Sequence, residues 1–132
     1  EDFGIPFDES LVKYCYYSPQ EVEANLDALY ALPQPPDAFL TVSDRLALGY
    51  YRALHLRHIR IPQDASFVGF SNLNAAELLQ PPMSTVVQPA FQMGHAAAHC
   101  LLDLIEGKIR PSATDVEQMP TRLYIRASSI WP

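Results

Sequence analysis

The stretch Pro36–Gly49, PDAFLTVSDRLALG, constrains the fold of this chain more than any other. Pro35 and Pro36 bar a helix from entering it, and the apolar run Ala38–Val42, with β-branched Thr41 and Val42, reads as a buried strand. Ser43 and Asp44 are both good helix caps, so the chain turns there into a helix running from Arg45 to about Arg57. The same pattern recurs along the chain. Leu11–Tyr17 (LVKYCYY) reads as a strand, and Ser18-Pro19-Gln20-Glu21 supplies an N-cap, a proline at the first helical position and a capping-box glutamate. The helix behind it carries Val22, Leu26, Leu29 and Tyr30 on one buried face, and the proline-rich 33–36 is a loop. A turn at Ile61–Asp64 leads into a third strand, Ser66–Phe70. Ser71-Asn72 then repeats the polar exit, with Asn72 able to cap a short helix holding Ala75, Ala76, Leu78 and Leu79. A fourth strand, Ser84–Gln88, passes through Pro89 into a helix whose buried face carries Met93, Ala97, Cys100, Leu101, Leu104 and Ile105. Gly107 ends that helix, and Arg122–Arg126 alternates as a closing strand near an edge.

Strand and helix therefore alternate four times before a closing strand. That order predicts an α/β fold on a mostly parallel sheet with right-handed crossovers. At 132 residues there is room for one domain with a real core. No apolar run approaches the ~20 residues of a membrane span. The opening Glu1-Asp2-Phe3 does not look like a natural start, and the chain is expected to begin partway through something longer.

Fifteen acidic residues against nine basic ones give a net charge of −6, which argues against this segment gripping nucleic acid by itself. Its one basic cluster, Arg52 to Arg60, is interleaved with apolar residues and reads as the end of an amphipathic helix. Cys15 and Cys100 read as two buried free thiols in a reducing cytoplasm. His95 and His99 stand four apart on a helix, but no glutamate completes an HExxH arrangement and no third ligand is evident. No metal or cofactor is expected. No nucleophile elbow, dinucleotide fingerprint or phosphate loop is present either, and the chain does not read as an enzyme.

Four strands end in polar or aromatic residues: Tyr17-Ser18, Ser43-Asp44, Ser71-Asn72 and Gln88. In a parallel sheet such ends gather at one edge, where ligands sit. An aromatic ring offers a stacking face, while hydroxyls, amides and carboxylates exchange directional hydrogen bonds, a set suited to a polyhydroxy or heterocyclic ligand. Ser18, Asp44 and Asn72 equally suit helix caps. Tyr17 and Gln88 are not usual caps.

Taken in order, VSDRLALGYYRAL, RIPQDASFVGFSNL, LLQPPMSTVVQPAFQMGHAAAHCLLDLIEGK and PTRLYIRASS resemble the lactose/galactose repressor family of bacterial transcriptional regulators. The resemblance runs almost end to end and implies most of the C-terminal subdomain of a periplasmic-binding-protein-like (type I) effector domain, a three-layer sandwich. It implies that the DNA-binding head, the N-terminal subdomain and the first strand and helix of this subdomain lie outside the chain. By position, Tyr17 matches an aromatic that stacks on a sugar or base, and Ser43 an asparagine that hydrogen-bonds the effector. Asp44 matches the acidic residue beside it, Ser71 an aspartate that grips hydroxyls, with Asn72 next to it, and Gln88 a ligand-side glutamine. Serine at both 43 and 71 is shorter than the usual residue and removes a charge. The resemblance further implies a cytoplasmic homodimer, with Leu48, Tyr51, Leu78 and Leu79 as interface candidates. Its partners would be a sugar-like effector and, through the head, DNA. A periplasmic solute-binding protein for sugar transport and a dimerisation module without ligand are the alternatives.

Overall fold

Ser18 sets the first helix as its local sequence requires. In the computed structural model, which describes Gly4, residues 6–71, Leu73, residues 75–110 and residues 117–130, α1 spans Pro19–Tyr30. The Ser18 Oγ accepts the Glu21 N–H at 3.1 Å, and the Glu21 carboxylate accepts the Ser18 N–H at 3.1 Å. Two otherwise orphaned donors are thereby satisfied. α1 buries Val22, Leu26 and Leu29, as its spacing predicts.

The sheet holds β1 (Ala38–Thr41), β2 (Ser66–Phe70), β3 (Ser84–Val87) and β4 (Arg122–Tyr124) in that spatial order. β1, β2 and β3 run parallel, and β4 closes the edge antiparallel to β3. α2 spans Asp44–Leu56 and buries Ala47, Tyr50, Tyr51, Ala53 and Leu54. With α1 it covers one face of the sheet, where Phe39 and Phe67 stack across the β1–β2 register with ring centroids 6.3 Å apart. Tyr51 meets Phe67 edge-on at 5.0 Å. Burying a side chain the size of Phe67 contributes about 1.5–3 kcal/mol. This is the mostly parallel α/β fold that the alternation implies. On the opposite face Leu40 and Val42 stand 67% and 69% exposed.

Residues 126–129 fasten the sheet from beneath. The buried Ser128 Oγ accepts the Ser84 N–H at 2.8 Å and donates to the Phe67 carbonyl at 2.6 Å. The Ser84 hydroxyl donates to the Arg126 carbonyl and accepts the Arg126 N–H. The Arg126 guanidinium reaches the Met83 carbonyl and Glu77.

Several expectations change. Leu11–Tyr17 forms no strand. Glu9–Leu11 is a single 3-10 turn, and the extended residues behind it are tied to α1 rather than to β1. Asn25 Nδ2 donates to the Tyr14 carbonyl, Glu21 takes the Tyr16 N–H, and Tyr17 turns at φ 73°. A groove of ≈ 380 Å³ separates this segment from β1.

The helix after Pro89, α3 (Ala90–Ile105), buries none of its residues. Its apolar side, including Met93, Ala97 and Cys100, faces Met119 and Thr121 across a groove of ≈ 460 Å³ instead of entering the core. Both cysteines are free, but Cys100 is exposed and Cys15 only half-buried, so the expectation of two buried thiols fails. Tyr51 is 6% exposed and donates its hydroxyl to the Pro81 carbonyl at 2.7 Å, so it is core and not open surface. Its helix turns it inward beside Tyr50 and Leu54.

Candidate ligand-binding site

Parallel pairing brings the C-terminal ends of β1, β2 and β3 to one edge. Ser43 leaves β1 in an extended conformation (φ −153°, ψ 155°) and is the N-cap of α2, its Oγ accepting the Leu46 N–H at a long 3.4 Å. Asp44 is the first helical residue. Its carboxylate accepts a hydrogen bond from the Ser71 hydroxyl at the end of β2. Of the two candidate caps, Ser43 is the one that caps, and the Asp44 carboxylate reaches Ser71 instead. Side by side the two residues are equally good caps; the extended backbone at Ser43 and the hydroxyl of Ser71 decide between them.

A third strand completes the cluster. Thr85, 2% exposed and paired with Gly69 in the β2–β3 register, donates its hydroxyl to the Ser71 carbonyl at 3.0 Å. Sequence reading passed over Thr85. The signal was there: Ser84-Thr85 sets two adjacent hydroxyls in an otherwise apolar strand, where each needs a partner.

Tyr17 is 41% exposed and lies beside the first turn of α2, with the Arg45 guanidinium 5.4 Å from its ring centroid. This cation–π contact occupies one ring face and lines a pocket of ≈ 200 Å³ with Pro19, Val22 and Arg52. Gln88 is half-buried just beyond β3, but it lines the separate groove under α3 with Phe70. The structure thus joins Asp44 and Ser71 directly, sets Tyr17 nearby through α2, and leaves Gln88 one groove away. Asn72 lies outside the described residues. Of the interface candidates, Leu48 and Leu78 are 42% and 81% exposed, and Leu79 packs partly against the core. The His95 and His99 rings lie 4.5 Å apart on α3, and among the described residues no three His, Cys, Asp or Glu side chains gather for a metal.

A mostly parallel sheet whose strand ends gather polar side chains at one edge is the architecture of an α/β binding domain. Residues 9–129 match the periplasmic binding protein-like domain, and the chain belongs to that family. It is 34% identical over 126 residues to the HTH-type transcriptional repressor CytR of Escherichia coli (strain K12), covering 96% of this chain and 36% of that protein. It is 32% identical over 125 residues to the HTH-type transcriptional regulator CelR of Thermobifida fusca, covering 95% of this chain and 36% of that one. The chain therefore spans little more than a third of these regulators. Among solved structures, a CelR–cellobiose complex superimposes with a TM-score of 0.80 at 31% identity, covering 97% of this chain and 38% of that one. A LacI transcriptional regulator from Bacillus cereus subsp. cytotoxis gives 0.75 at 31%, covering 86% and 40%. These relatives are transcriptional regulators of the lactose/galactose repressor type, as the motif order implies. Among the described residues no helix is long and apolar enough to cross a membrane.

Proposed function

We propose that this chain is the effector-sensing and dimer-forming part of a cytoplasmic transcriptional repressor, and has no catalytic role. The observation that carries the reading is the strand-end cluster, in which half-buried Asp44 and Ser71, from two different strand ends, meet at one edge of the sheet. A small molecule, a sugar or a sugar derivative, binds there against Tyr17, Ser43, Asp44 and Ser71. A second subdomain closes on it. Closure favours one relative orientation of the two subdomains, and that orientation sets the spacing of the DNA-binding heads. Coupling of this kind is about 1–3 kcal/mol, a several-fold to hundred-fold change in operator affinity. Exposed Leu48 and Leu78 supply apolar surface for a homodimer.

Calorimetric titration of the intact protein with sugars, nucleosides and sugar phosphates tests the reading. A binder with an affinity better than millimolar, whose addition changes operator affinity, is expected; a panel with no such binder sinks the effector role. One observation favours a second reading, a dimerisation module without ligand: Asp44 already has a donor in Ser71. An intact protein that dimerises while its operator affinity answers to no member of the panel would select it.

A further inference from the structure

The hydrogen bonds at the strand ends run in one direction, and that direction restricts what a ligand can present there. Thr85 donates to the Ser71 carbonyl, and the Ser71 hydroxyl donates to the Asp44 carboxylate. A serine hydroxyl has one proton and two lone pairs, and an ionised carboxylate has acceptors only. With its proton given to Asp44, the half-buried Ser71 hydroxyl has only lone pairs left to offer, as has the remaining oxygen of the half-buried Asp44. Among the described residues no Lys, Arg or His forms an ion pair with Asp44, and the guanidinium next to it in sequence, Arg45, is turned onto the Tyr17 ring.

We propose that Asp44 and Ser71 form an acceptor-only floor, held in position by Thr85, that selects a hydroxyl or amino donor on the ligand and rejects an anionic group. The proposal rests on the reading of this edge as the effector site. Two acceptors from adjacent strand ends suit one amino group or a pair of neighbouring hydroxyls. A phosphate or carboxylate placed there would meet the carboxylate of Asp44, which has no ion-pair partner among the described residues, and a Ser71 proton already committed. Thr85 is a positioning residue: buried beneath the floor, it fixes the Ser71 backbone and with it the aim of the Ser71 hydroxyl.

The test uses the intact regulator and three matched pairs: D-ribose with D-ribose 5-phosphate, cellobiose with cellobionate, and uridine with uridine 5′-monophosphate. In any pair that binds, the neutral member should bind at least about tenfold more tightly than its anionic counterpart. Asp44→Asn, which is isosteric and uncharged, should shrink that preference to about threefold or less. Thr85→Val should also shrink it, and Thr85→Ser, which keeps the hydroxyl, should restore it. If Thr85→Val fails to fold, Ser71→Ala, which removes the hydroxyl that donates to Asp44, should shrink the preference in its place. An anionic member that binds more tightly than its neutral partner overturns the proposal while leaving the effector reading in place. So does a neutral preference that Asp44→Asn leaves intact. If no member of any pair, and nothing in the wider screen, binds better than millimolar, it is the effector reading that falls, and the floor with it.

Discussion

His58 stands in the left-handed region at φ 57°, two residues past the end of α2. The Ile59 N–H reaches back to the Leu54 carbonyl at 3.1 Å and the His58 N–H to the His55 carbonyl at 3.0 Å, the pattern that usually calls for glycine. His58→Gly is expected to stabilise the protein by about 0.5–1 kcal/mol, since relief of left-handed strain exceeds the added freedom of the unfolded chain. A higher urea midpoint at unchanged slope is the readout, and a lower midpoint would refute it. Glu21 makes a second prediction at this scale. The backbone and hydroxyl of Ser18, then the Tyr16 N–H and the Cys15 thiol, hold its carboxyl below the ordinary value of 4.5. A depressed folded-state pKa stabilises fully above the unfolded value and is lost as pH falls through the folded one. The melting temperature of the wild type should therefore drop more steeply below pH 4.5 than that of Glu21→Gln, which keeps the capping geometry without the titration. Parallel curves would rule the linkage out.

At the scale of elements, what could be read from residues was whatever depends on near neighbours. The capping box of α1, the strands at Ala38, Ser66 and Ser84, and the glycine that ends α3 all rest on local rules. Gly107, at φ 71°, donates to Leu104 while Lys108 donates to Asp103, closing that helix as expected. What depends on a distant partner was not legible. The apolar alternation in Leu11–Tyr17 suits a strand, yet Asn25 and Glu21 claim its backbone first. Periodicity shows which side of α3 is apolar but not what lies against it. Tyr51 went astray because two adjacent tyrosines can each claim the inner face, and in α2 both take it. In the candidate site, Asp44 and Ser71 were legible as polar strand exits, but their hydrogen bond spans 27 positions, and the hold of Thr85 on Ser71 depends on strand register. The C-terminal fastening shows the same dependence on distance and can be tested. Ser128→Ala leaves the Ser84 N–H and the Phe67 carbonyl, both inside the sheet, without that partner. A loss of at least about 2 kcal/mol is expected in chemical denaturation. A loss below 0.5 kcal/mol, roughly the size of a surface change, would show that the fastening is incidental.

For the whole molecule, burial divides the interface candidates. Leu48 and Leu78 keep apolar surface outside, while Tyr51 is spent on Phe67 and Pro81. Under the dimer proposal, Leu48→Glu should move the intact protein toward monomer in sedimentation velocity with little change in its melting point. Tyr51→Phe should do the reverse, losing about 1 kcal/mol of stability with association intact. Equal association in both variants would place the interface elsewhere.

The Ser128 hydroxyl also imposes a schedule on synthesis. Phe67 on the central β2 strand waits for a partner 61 residues further along, and Ser84 for one 44 residues further. At roughly 5–20 residues per second, the sheet stands incomplete for about 3–12 s after Phe67 is made. During that interval the growing chain carries a core strand with a polar group still unclaimed, and Ser128 is the residue that claims it.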